Sequence, residues 1–184
     1  IAIGCGLGRN EENAKILEII VKNFKKPIVI DADAIFFLRN IKAEILNRNN
    51  IVITPHEVEF SRFSSYDLKN IKENRLEVVN KFFEKNLKYT LVLKGKNTIV
   101  KSDKEIYIND TGNSGMATAG SGDCLTGIIL SLLGQGLNAF NSAKLGVFTH
   151  GLAGDFAKEE LGEDSLVASD IIKFLPKAIK YIRE

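Results

Sequence analysis

The stretch from 117 to 127 holds the residue types best suited to chemistry. Gly120 and Gly122 precede Asp123 and a long apolar run, which is the pattern of a glycine-rich loop that starts a helix. Glycines let backbone N–H groups approach a phosphate, and the helix dipole favours its negative charge. A carboxylate there repels phosphate, so its presence suggests a chemical role, which is to take the proton from a hydroxyl that attacks the phosphate. The alternative is that Asp123 caps the helix and the glycines form an ordinary turn.

Short, wholly apolar segments alternate with helical patterns along most of the chain. Strands of this kind are buried on both faces, so the sequence predicts an α/β fold with a mostly parallel sheet between helices. The strands are predicted at 1–3, 28–30, 51–53, 91–93, 98–100 and 106–108, of which the last two form a late antiparallel hairpin. Helices are predicted after Asn10, between Asp67 and Asn86, and at 122–134, 138–160 and 169–183.

Length, charge and composition fit one globular domain over residues 1–184. The net charge is +2 and the lysines form no basic block, which argues against nucleic-acid binding. Two cysteines cannot build a disulfide framework and no Cys-x-x-Cys pattern is present, so a cytoplasmic, reducing setting is expected. No apolar stretch reaches the length of a membrane span. Because the chain opens inside an apolar strand without a Met, we expect further sequence before residue 1.

Polar residues follow the ends of the predicted parallel strands. Ligands of open α/β sheets bind beyond the carboxyl ends of the strands, so these residues are expected to meet at one edge. They are Gly4–Gly8 after the first strand, Asp31 and Asp33 after the second, Thr54 and His56 after the third, and Lys94–Lys96 after the fourth, with the hydroxyl of Thr98 close by in the chain. The predicted helix start at Gly120–Asp123 can point at the same edge, and convergence of several motifs supports a site better than one motif does.

Each of these motifs also has a structural explanation. The glycines at 4, 6 and 8 fit a tight turn, Asp31 and Asp33 fit helix caps, and His56 follows a proline in a rigid turn. Lysines such as Lys94 and Lys96 are usually solvated, although a Lys-Gly-Lys run at a strand end suits a polyphosphate. The sequence has no Walker-type phosphate loop, which argues against an NTPase of that type. It has no His/Cys cluster for a transition metal, and a Mg²⁺ held mainly by phosphates and water remains compatible with it.

The segment 112–127, GNSGMATAGSGDCLTG, closely resembles the signature of the ADP/ATP-dependent NAD(P)H-hydrate dehydratases, which belong to the ribokinase-like superfamily. The resemblance extends over essentially the whole chain and implies a ribokinase-like three-layer α/β/α sandwich with a mostly parallel central sheet. Its further motifs, in matching order and spacing, are Gly4–Gly8, Asp31–Ala34, Thr54–His56 with Glu59-Phe60, Lys94–Thr98 and His150–Gly154.

The chain departs from the family pattern in a few places. Glu57-Val58 stand where the family usually has Pro-Gly, and Asp110, Ser114 and Cys124 replace two prolines and a valine. These are loop and packing changes, and none removes a proposed catalytic group. Family members also carry an earlier glycine-rich strand–helix segment, so the resemblance implies a chain truncated at its N-terminus.

The resemblance implies repair of a damaged nicotinamide cofactor, in which water is removed from hydrated NADH or NADPH at the expense of ADP or ATP, with Mg²⁺. It implies that Asp123 deprotonates the 6-hydroxyl, which attacks the terminal phosphate, and that the resulting ester eliminates inorganic phosphate. The family positions for the hydrated cofactor are Gly6, His56 and Asp123. Those for the adenine nucleotide are Lys94, Gly95, Lys96, Asn97, Thr98 and Gly122, with Asn113, Gly120 and Ser121 beside the phosphates.

Two other functions are compatible with the sequence. A vitamin-precursor kinase of the same superfamily shares Asp123 and the anion hole but releases a stable phosphorylated product, and His56 with Asp31–Ala34 weighs against it. The second alternative is a nucleotide-binding module that keeps the fold without the activity.

The resemblance also bears on assembly, because family members tend to form homo-oligomers and many are fused to an epimerase for the same damaged cofactor. The predicted helix at 138–160 carries small residues that allow close packing and a subunit interface. These residues are Ala139, Ala143, Gly146, Gly151 and Gly154.

Overall fold

Six strands form one sheet in the order in which they occur in the chain, from β1 to β6. In this computed structural model, which describes residues 1–184, β1 to β4 run parallel, and β5 and β6 each run antiparallel to the preceding strand. The predicted strands and the late hairpin are confirmed, with each observed end within one residue of its predicted position. The strands are β1 Ala2–Ile3, β2 Ile28–Ile30, β3 Ile51–Ile53, β4 Thr90–Leu93, β5 Ile99–Lys101 and β6 Ile106–Ile108.

Helices cover both faces of this sheet. The α-helices are α1 Glu11–Asn23, α2 Asp33–Phe37, α3 Ala43–Leu46, α4 Glu57–Ser64, α5 Leu68–Glu73, α6 Arg75–Phe83, α7 Ser121–Gly134, α8 Ala139–Leu161 and α9 Ala168–Arg183. Short 3₁₀ turns lie at Leu38–Asn40 and Ser114–Met116. None of the helices combines the length and the apolar character that crossing a membrane requires.

Alternate residues of the strands face different helical layers, as the pleat of a strand requires. Val29, Val52, Val92 and Val100 pack with the apolar side chains of α7 and α8 in one buried cluster. The isoleucines and leucines that flank these valines pack with α1 to α6 in a second, larger cluster. The sheet is therefore the middle layer of the predicted three-layer α/β/α sandwich, and its strands are apolar throughout because both faces are buried.

The single helix predicted between Asp67 and Asn86 is wrong, because the chain forms two helices there. Asn74 has φ −133° and ψ 43°, outside the helical region, and it separates α5 from α6. Its side-chain amide donates to Asn70 Oδ1 at 3.0 Å, a local bond of the kind by which Asn competes with regular helix. The break makes Arg75 the first residue of α6.

The small residues of α8 pack against the same chain. A Cβ built on Gly146 would lie 2.7 Å from Ile129 Cγ1 of α7, and equivalent atoms on Gly151 and Gly154 would collide with Thr111 and Met116. Ala139 and Ala143 are also buried. The predicted close packing is confirmed, but it occurs within the chain and leaves these five residues no exposed surface for a subunit contact.

Candidate active site

The loops after β1, β2 and β4 meet the first turns of α7 at one edge of the sheet. Asp31, whose side chain is 1% exposed, lies at the centre of this meeting point. Its Oδ1 accepts a hydrogen bond from Lys94 Nζ at 2.7 Å, and its Oδ2 accepts one from Thr126 Oγ1 at 2.6 Å. Ligand atoms of Cys5, Asp31 and Asp123 lie within 4.8 Å of one another. The structure thus brings together most of the motifs that the strand ends predict to converge.

The N-terminus of α7 carries no side-chain cap. Its N-cap residue is Gly120, in a left-handed conformation with φ 85° and ψ −11°, and no side chain accepts a hydrogen bond from the first turn. The backbone N–H groups of Gly122 and Asp123 donate to no protein group. Asp123 lies inside the first turn with its side chain exposed, so the alternative of Asp123 as a helix cap is wrong. Free N–H groups at a helix start are a ready site for an anion.

A buried histidine on α8 supports this helix start. His150 Nε2 lies 3.0 Å from the carbonyl oxygen of Ser121 and 3.4 Å from its Oγ. A carbonyl oxygen only accepts hydrogen bonds, so Nε2 is the protonated nitrogen of a neutral ring. Burial lowers the pKa of His150 to about 4, the bond to Ser121 opposes this shift, and the charge of Lys94 adds to it. His150 therefore holds the first turn of α7 as a neutral donor.

This burial makes a testable prediction about acid stability. The imidazole takes up a proton near pH 6.5 when the chain is unfolded but only near pH 4 when it is folded. The unfolded state thus binds more protons between these values, and His150 lowers the free energy of unfolding by up to about 3 kcal/mol as the pH falls through that window. Urea unfolding at stepped pH should show a shallower pH dependence for His150→Gln than for the unaltered protein. Equal slopes for the two proteins would contradict this role.

Lys94 occupies the space between Asp31 and the start of α7. Its side chain is 19% exposed, and a Cβ built on Gly122 would lie 3.4 Å from its ammonium nitrogen. A larger residue at 122 would therefore press on this lysine. The expectation that Lys94 is simply solvated is wrong, because its charge is paired with a buried carboxylate while it lies next to the open helix terminus.

The two aspartates of the Asp-Ala-Asp motif connect loops and do not cap a helix. Helix α2 begins at Asp33 with Ala32, at φ 48°, as its N-cap and without a side-chain cap bond. Asp33 instead accepts hydrogen bonds from the Gly8 N–H at 3.0 Å and from Arg9 Nε at 2.7 Å, and these bonds lower its pKa. The motif therefore fastens the loop after β1 to the end of β2.

The loop after β3 brings His56 to the same region. His56 is the N-cap of α4, where its Nδ1 accepts hydrogen bonds from the N–H groups of Val58 and Glu59 at 3.2 and 3.3 Å. The ring remains about half exposed, with a side-chain exposure of 52%. Pro55 is joined to the next loop, because its carbonyl accepts a hydrogen bond from the Lys94 N–H at 2.8 Å. The structural explanation of His56 is thus observed: its Nδ1 caps α4, its Nε2 lies 3.3 Å from Glu59 Oε1, and about half of the side chain remains exposed.

The other residues predicted to bind the nucleotide lie in the turn after β4 and in the loop before α7. Some of their polar groups form hydrogen bonds within the chain. Gly95 and Asn97 have positive φ, 139° and 55°, and Thr98 Oγ1 donates to the Gly95 carbonyl at 2.9 Å. Lys96 is exposed, as is Gly6 in the loop after β1. The amide of Asn113 donates to the Gly154 carbonyl at 3.0 Å and to an Asp155 oxygen, which ties the loop before α7 to α8. Thr98 and Asn113 therefore have structural roles, and their roles in nucleotide binding stay predictions.

Several residues at this edge were missed by the sequence analysis. Thr126 lies one turn after Gly122 on the same side of α7, a spacing that could have suggested it. The sulfur of Cys5 lies within 4.8 Å of a carboxylate oxygen of Asp123, and burial, followed by the interaction with Asp123, raises the pKa of its thiol to about 12. The thiol therefore stays protonated. His150 was noted only as part of a motif, and nothing in the local pattern links it to Ser121.

Comparison with known proteins decides the family. The sequence model of the NAD(P)H-hydrate dehydratase family matches residues 1–177. The chain belongs to the NAD(P)H-hydrate dehydratase family. Its relatives include the ADP-dependent (S)-NAD(P)H-hydrate dehydratase of Neisseria meningitidis, 42% identical in an alignment of 166 positions that covers 87% of this chain and 55% of that protein. The bifunctional NAD(P)H-hydrate repair enzyme of Thermofilum pendens is 39% identical in an alignment of 186 positions that covers 100% of this chain and 35% of the relative.

A solved structure of the same family confirms the architecture. The ADP/ATP-dependent NAD(P)H-hydrate dehydratase of Bacillus subtilis, co-crystallised with ATP and Mg²⁺, superposes with a TM-score of 0.84 at 26% identity over 98% of this chain and 64% of that one. Solved ribokinases share the fold, so the ribokinase-like prediction is confirmed. This chain of the dehydratase family thus spans less than two thirds of the length of these three relatives.

Proposed function

We propose that this chain provides the catalytic site of an ADP- or ATP-dependent NAD(P)H-hydrate dehydratase. The observation that supports this most directly is the pairing of an exposed carboxylate, Asp123, with the free N–H groups of the same helix turn. Relatives of this chain are named for the dehydratase reaction. The geometry supports that reaction because an exposed carboxylate adjoins N–H groups that are free to bind an anion. A role in nicotinamide-cofactor repair follows, with the hydrated NADH or NADPH as the substrate.

The proposed chemistry proceeds in two stages. Asp123 takes the proton of the substrate's 6-hydroxyl, the oxygen attacks the terminal phosphorus of the nucleotide, and the bond from that phosphorus to the leaving oxygen breaks. The N–H groups of Gly122 and Asp123 and the ammonium of Lys94 face the charge that develops on the phosphoryl oxygens. In the second stage, the bond between the ring carbon and the oxygen of the phosphate ester breaks. Inorganic phosphate leaves, the ring loses a proton, and the dihydropyridine is restored.

The substrate and nucleotide are proposed to bind in the loops that converge at this edge. Gly6 and His56 are assigned to the hydrated cofactor, as the family resemblance implies. The turn Lys94–Thr98 and the start of α7 at Gly120–Gly122 are assigned to the adenine nucleotide, with Asn113 nearby.

The residues present fit a Mg²⁺ that is bound mainly through phosphate. Both oxygens of Asp31 are engaged, by Lys94 and by Thr126, and Asp123 is the proposed base, so this edge offers no carboxylate for an all-protein metal cage. The ion would be held by substrate phosphates and water, as is typical of Mg²⁺. When bound, the ion would neutralise charge on the phosphate oxygens.

The proposal also covers the location of the protein, its assembly and its nucleotide donor. A cytoplasmic location is supported by two unpaired cysteines, Cys5 and Cys124. A homo-oligomer and an epimerase partner or fused epimerase domain agree with the family resemblance and with the bifunctional relative from Thermofilum pendens. ADP is the favoured donor because the relative from Neisseria meningitidis is named for it.

An optical assay on the full-length protein tests this function. Hydrated NADPH is mixed with ADP or ATP and Mg²⁺, and the absorbance of the reduced nicotinamide ring is followed. We expect recovery of that absorbance, matched by release of inorganic phosphate, and the faster nucleotide identifies the donor. No recovery with either nucleotide contradicts the dehydratase. A stable phosphorylated product without recovery would instead support a small-molecule kinase.

A further inference from the structure

Arg75 joins two of the loops that carry predicted binding residues, although it belongs to neither. Its side chain is 16% exposed, and it lies at the start of α6, behind the end of β4. One terminal nitrogen, Nη2, donates to the carbonyl of Leu93 at 2.9 Å and to that of Lys94 at 3.3 Å. The other, Nη1, forms an ion pair and hydrogen bond with Glu57 Oε1. A single guanidinium thus connects the end of β4 to the first turn of α4.

Both partners of Arg75 adjoin residues of the candidate site. Glu57 directly follows His56, and Leu93 directly precedes Lys94 and Gly95. We name residues 54–57 the cofactor segment and residues 94–98 the nucleotide segment, after the ligands proposed for them. The two segments also touch directly, through the hydrogen bond from the Lys94 N–H to the Pro55 carbonyl. Arg75 therefore lies next to an existing contact between the segments and adds a second connection.

The nucleotide segment is shaped to admit this guanidinium. Gly95 has φ 139°, a conformation that favours glycine, and a Cβ built on it would lie 2.5 Å from Arg75 Nη1. Any side chain at 95 would displace Arg75. An arginine suits the position because its planar fork can bond a carboxylate and carbonyls at the same time, whereas lysine presents a single charged nitrogen.

We propose that Arg75 is a positioning residue that fixes the cofactor segment and the nucleotide segment relative to each other. The guanidinium acts through its contacts with Glu57 and with the carbonyls at the end of β4. Because these contacts are partly buried, they resist screening by water and salt. The contacts alone support the coupling of the two segments. The effect of Arg75 on substrate and nucleotide binding rests on the proposed function of those segments.

Amide hydrogen exchange on the full-length protein tests the structural claim without any ligand. In Arg75→Met we expect the amides of both segments to exchange about tenfold faster or more, because each loses a tether. Glu57→Gln weakens the ion pair but leaves the bonds from Arg75 to the carbonyls, and we expect a smaller acceleration in both segments. Lys180→Met, which removes an exposed ion pair with Glu184 on α9, is the matched control and should leave both segments unchanged.

The test depends on which of the two segments exchanges its amide hydrogens faster in each variant. Acceleration in both segments, in both variants, supports the proposal. If Glu57→Gln speeds exchange only in the cofactor segment, or if Arg75→Met alters neither segment, the coupling between them is contradicted. If Arg75→Met is too unstable to measure, the milder Glu57→Gln variant still gives the answer.

Steady-state kinetics test the consequence separately. We expect Glu57→Gln and Arg75→Met to raise the KM values for both the hydrated cofactor and the nucleotide, with a smaller change in kcat, since Asp123 is untouched. A rise in only one KM, or a fall in kcat alone, would contradict joint positioning. If the unaltered protein shows no dehydratase turnover, the proposed function fails, while the exchange data still decide whether Arg75 couples the segments.

Discussion

Asp123→Asn is expected to lower kcat of the proposed dehydration at least about a thousandfold, within the range that general bases contribute, while the protein still binds nucleotide. The amide keeps the size of the side chain but cannot take the proton of the attacking hydroxyl. The N–H groups of Gly122 and Asp123 are backbone groups and persist in the variant. Removal of a negative charge beside the phosphates leaves nucleotide binding unchanged or makes it tighter, since the carboxylate repels them.

This prediction is checked by measuring turnover and nucleotide affinity on the same preparations. Isothermal calorimetry with ADP and Mg²⁺ gives the Kd, and the recovery of reduced-ring absorbance gives kcat. Asp103→Asn, an exposed aspartate in the turn between β5 and β6, is the matched control and should behave like the unaltered protein. Turnover of Asp123→Asn within tenfold of the unaltered protein would remove Asp123 from the role of base. Loss of nucleotide binding together with turnover would point to a damaged helix start instead.

Cys5 belongs to the same local environment as Asp123. Its sulfur lies within 4.8 Å of a carboxylate oxygen of Asp123, and burial raises the pKa of the thiol, so this neighbour of the proposed base is a neutral group. A cation in that position would stabilise the charged carboxylate and make it a poorer base. The positive charge of Lys94 is paired instead with Asp31. The arrangement therefore separates a paired, buried carboxylate from an exposed one that can accept a proton.

The sheet could be predicted from the sequence because its signal is local. Continuous apolar runs such as 28–30 and 51–53 specify strands buried on both faces, and the polar residue that follows each run marks the functional edge. The helix start at Gly120 was equally clear, because glycines, Asp123 and the apolar run lie within a few residues of one another. The family motifs then fixed the order of the loops around that edge.

The interactions that complete the site could not be predicted from the same patterns. The hydrogen bond from Thr126 to Asp31 spans 95 residues of sequence, and the one between Ser121 and His150 spans 29. Neither leaves a periodic signal, since each depends on how α7 packs over the end of β2 or beside α8. The break at Asn74 was missed for a related reason. The apolar spacing of a helix continues across it, and the local bond between Asn74 and Asn70 leaves no mark in that spacing.

Asp31→Asn is expected to lower the free energy of unfolding by about 3 kcal/mol, the lower end of the range for breaking a buried ion pair. The substitution leaves Lys94 without its counter-charge in a place where only 19% of its side chain is exposed, and it weakens the acceptor of Thr126 Oγ1. Two effects set the size of the loss. Burial of the unpaired ammonium increases the cost, and the part of the side chain that remains exposed reduces it by allowing partial hydration.

The Asp-Ala-Asp motif provides a control two residues away. Asp33→Asn also removes a carboxylate that pairs with a cation, but Arg9 is 47% exposed and the pair is in contact with water. Exposed pairs contribute little, so this change should cost less than about 1 kcal/mol. Urea unfolding of both variants at neutral pH measures the difference directly. A similar loss for the two substitutions would mean that burial of Asp31 does not set its contribution. A loss confined to Asp31→Asn would identify the buried Asp31–Lys94 pair as the connection that holds β2, β4 and α7 together beneath the anion site.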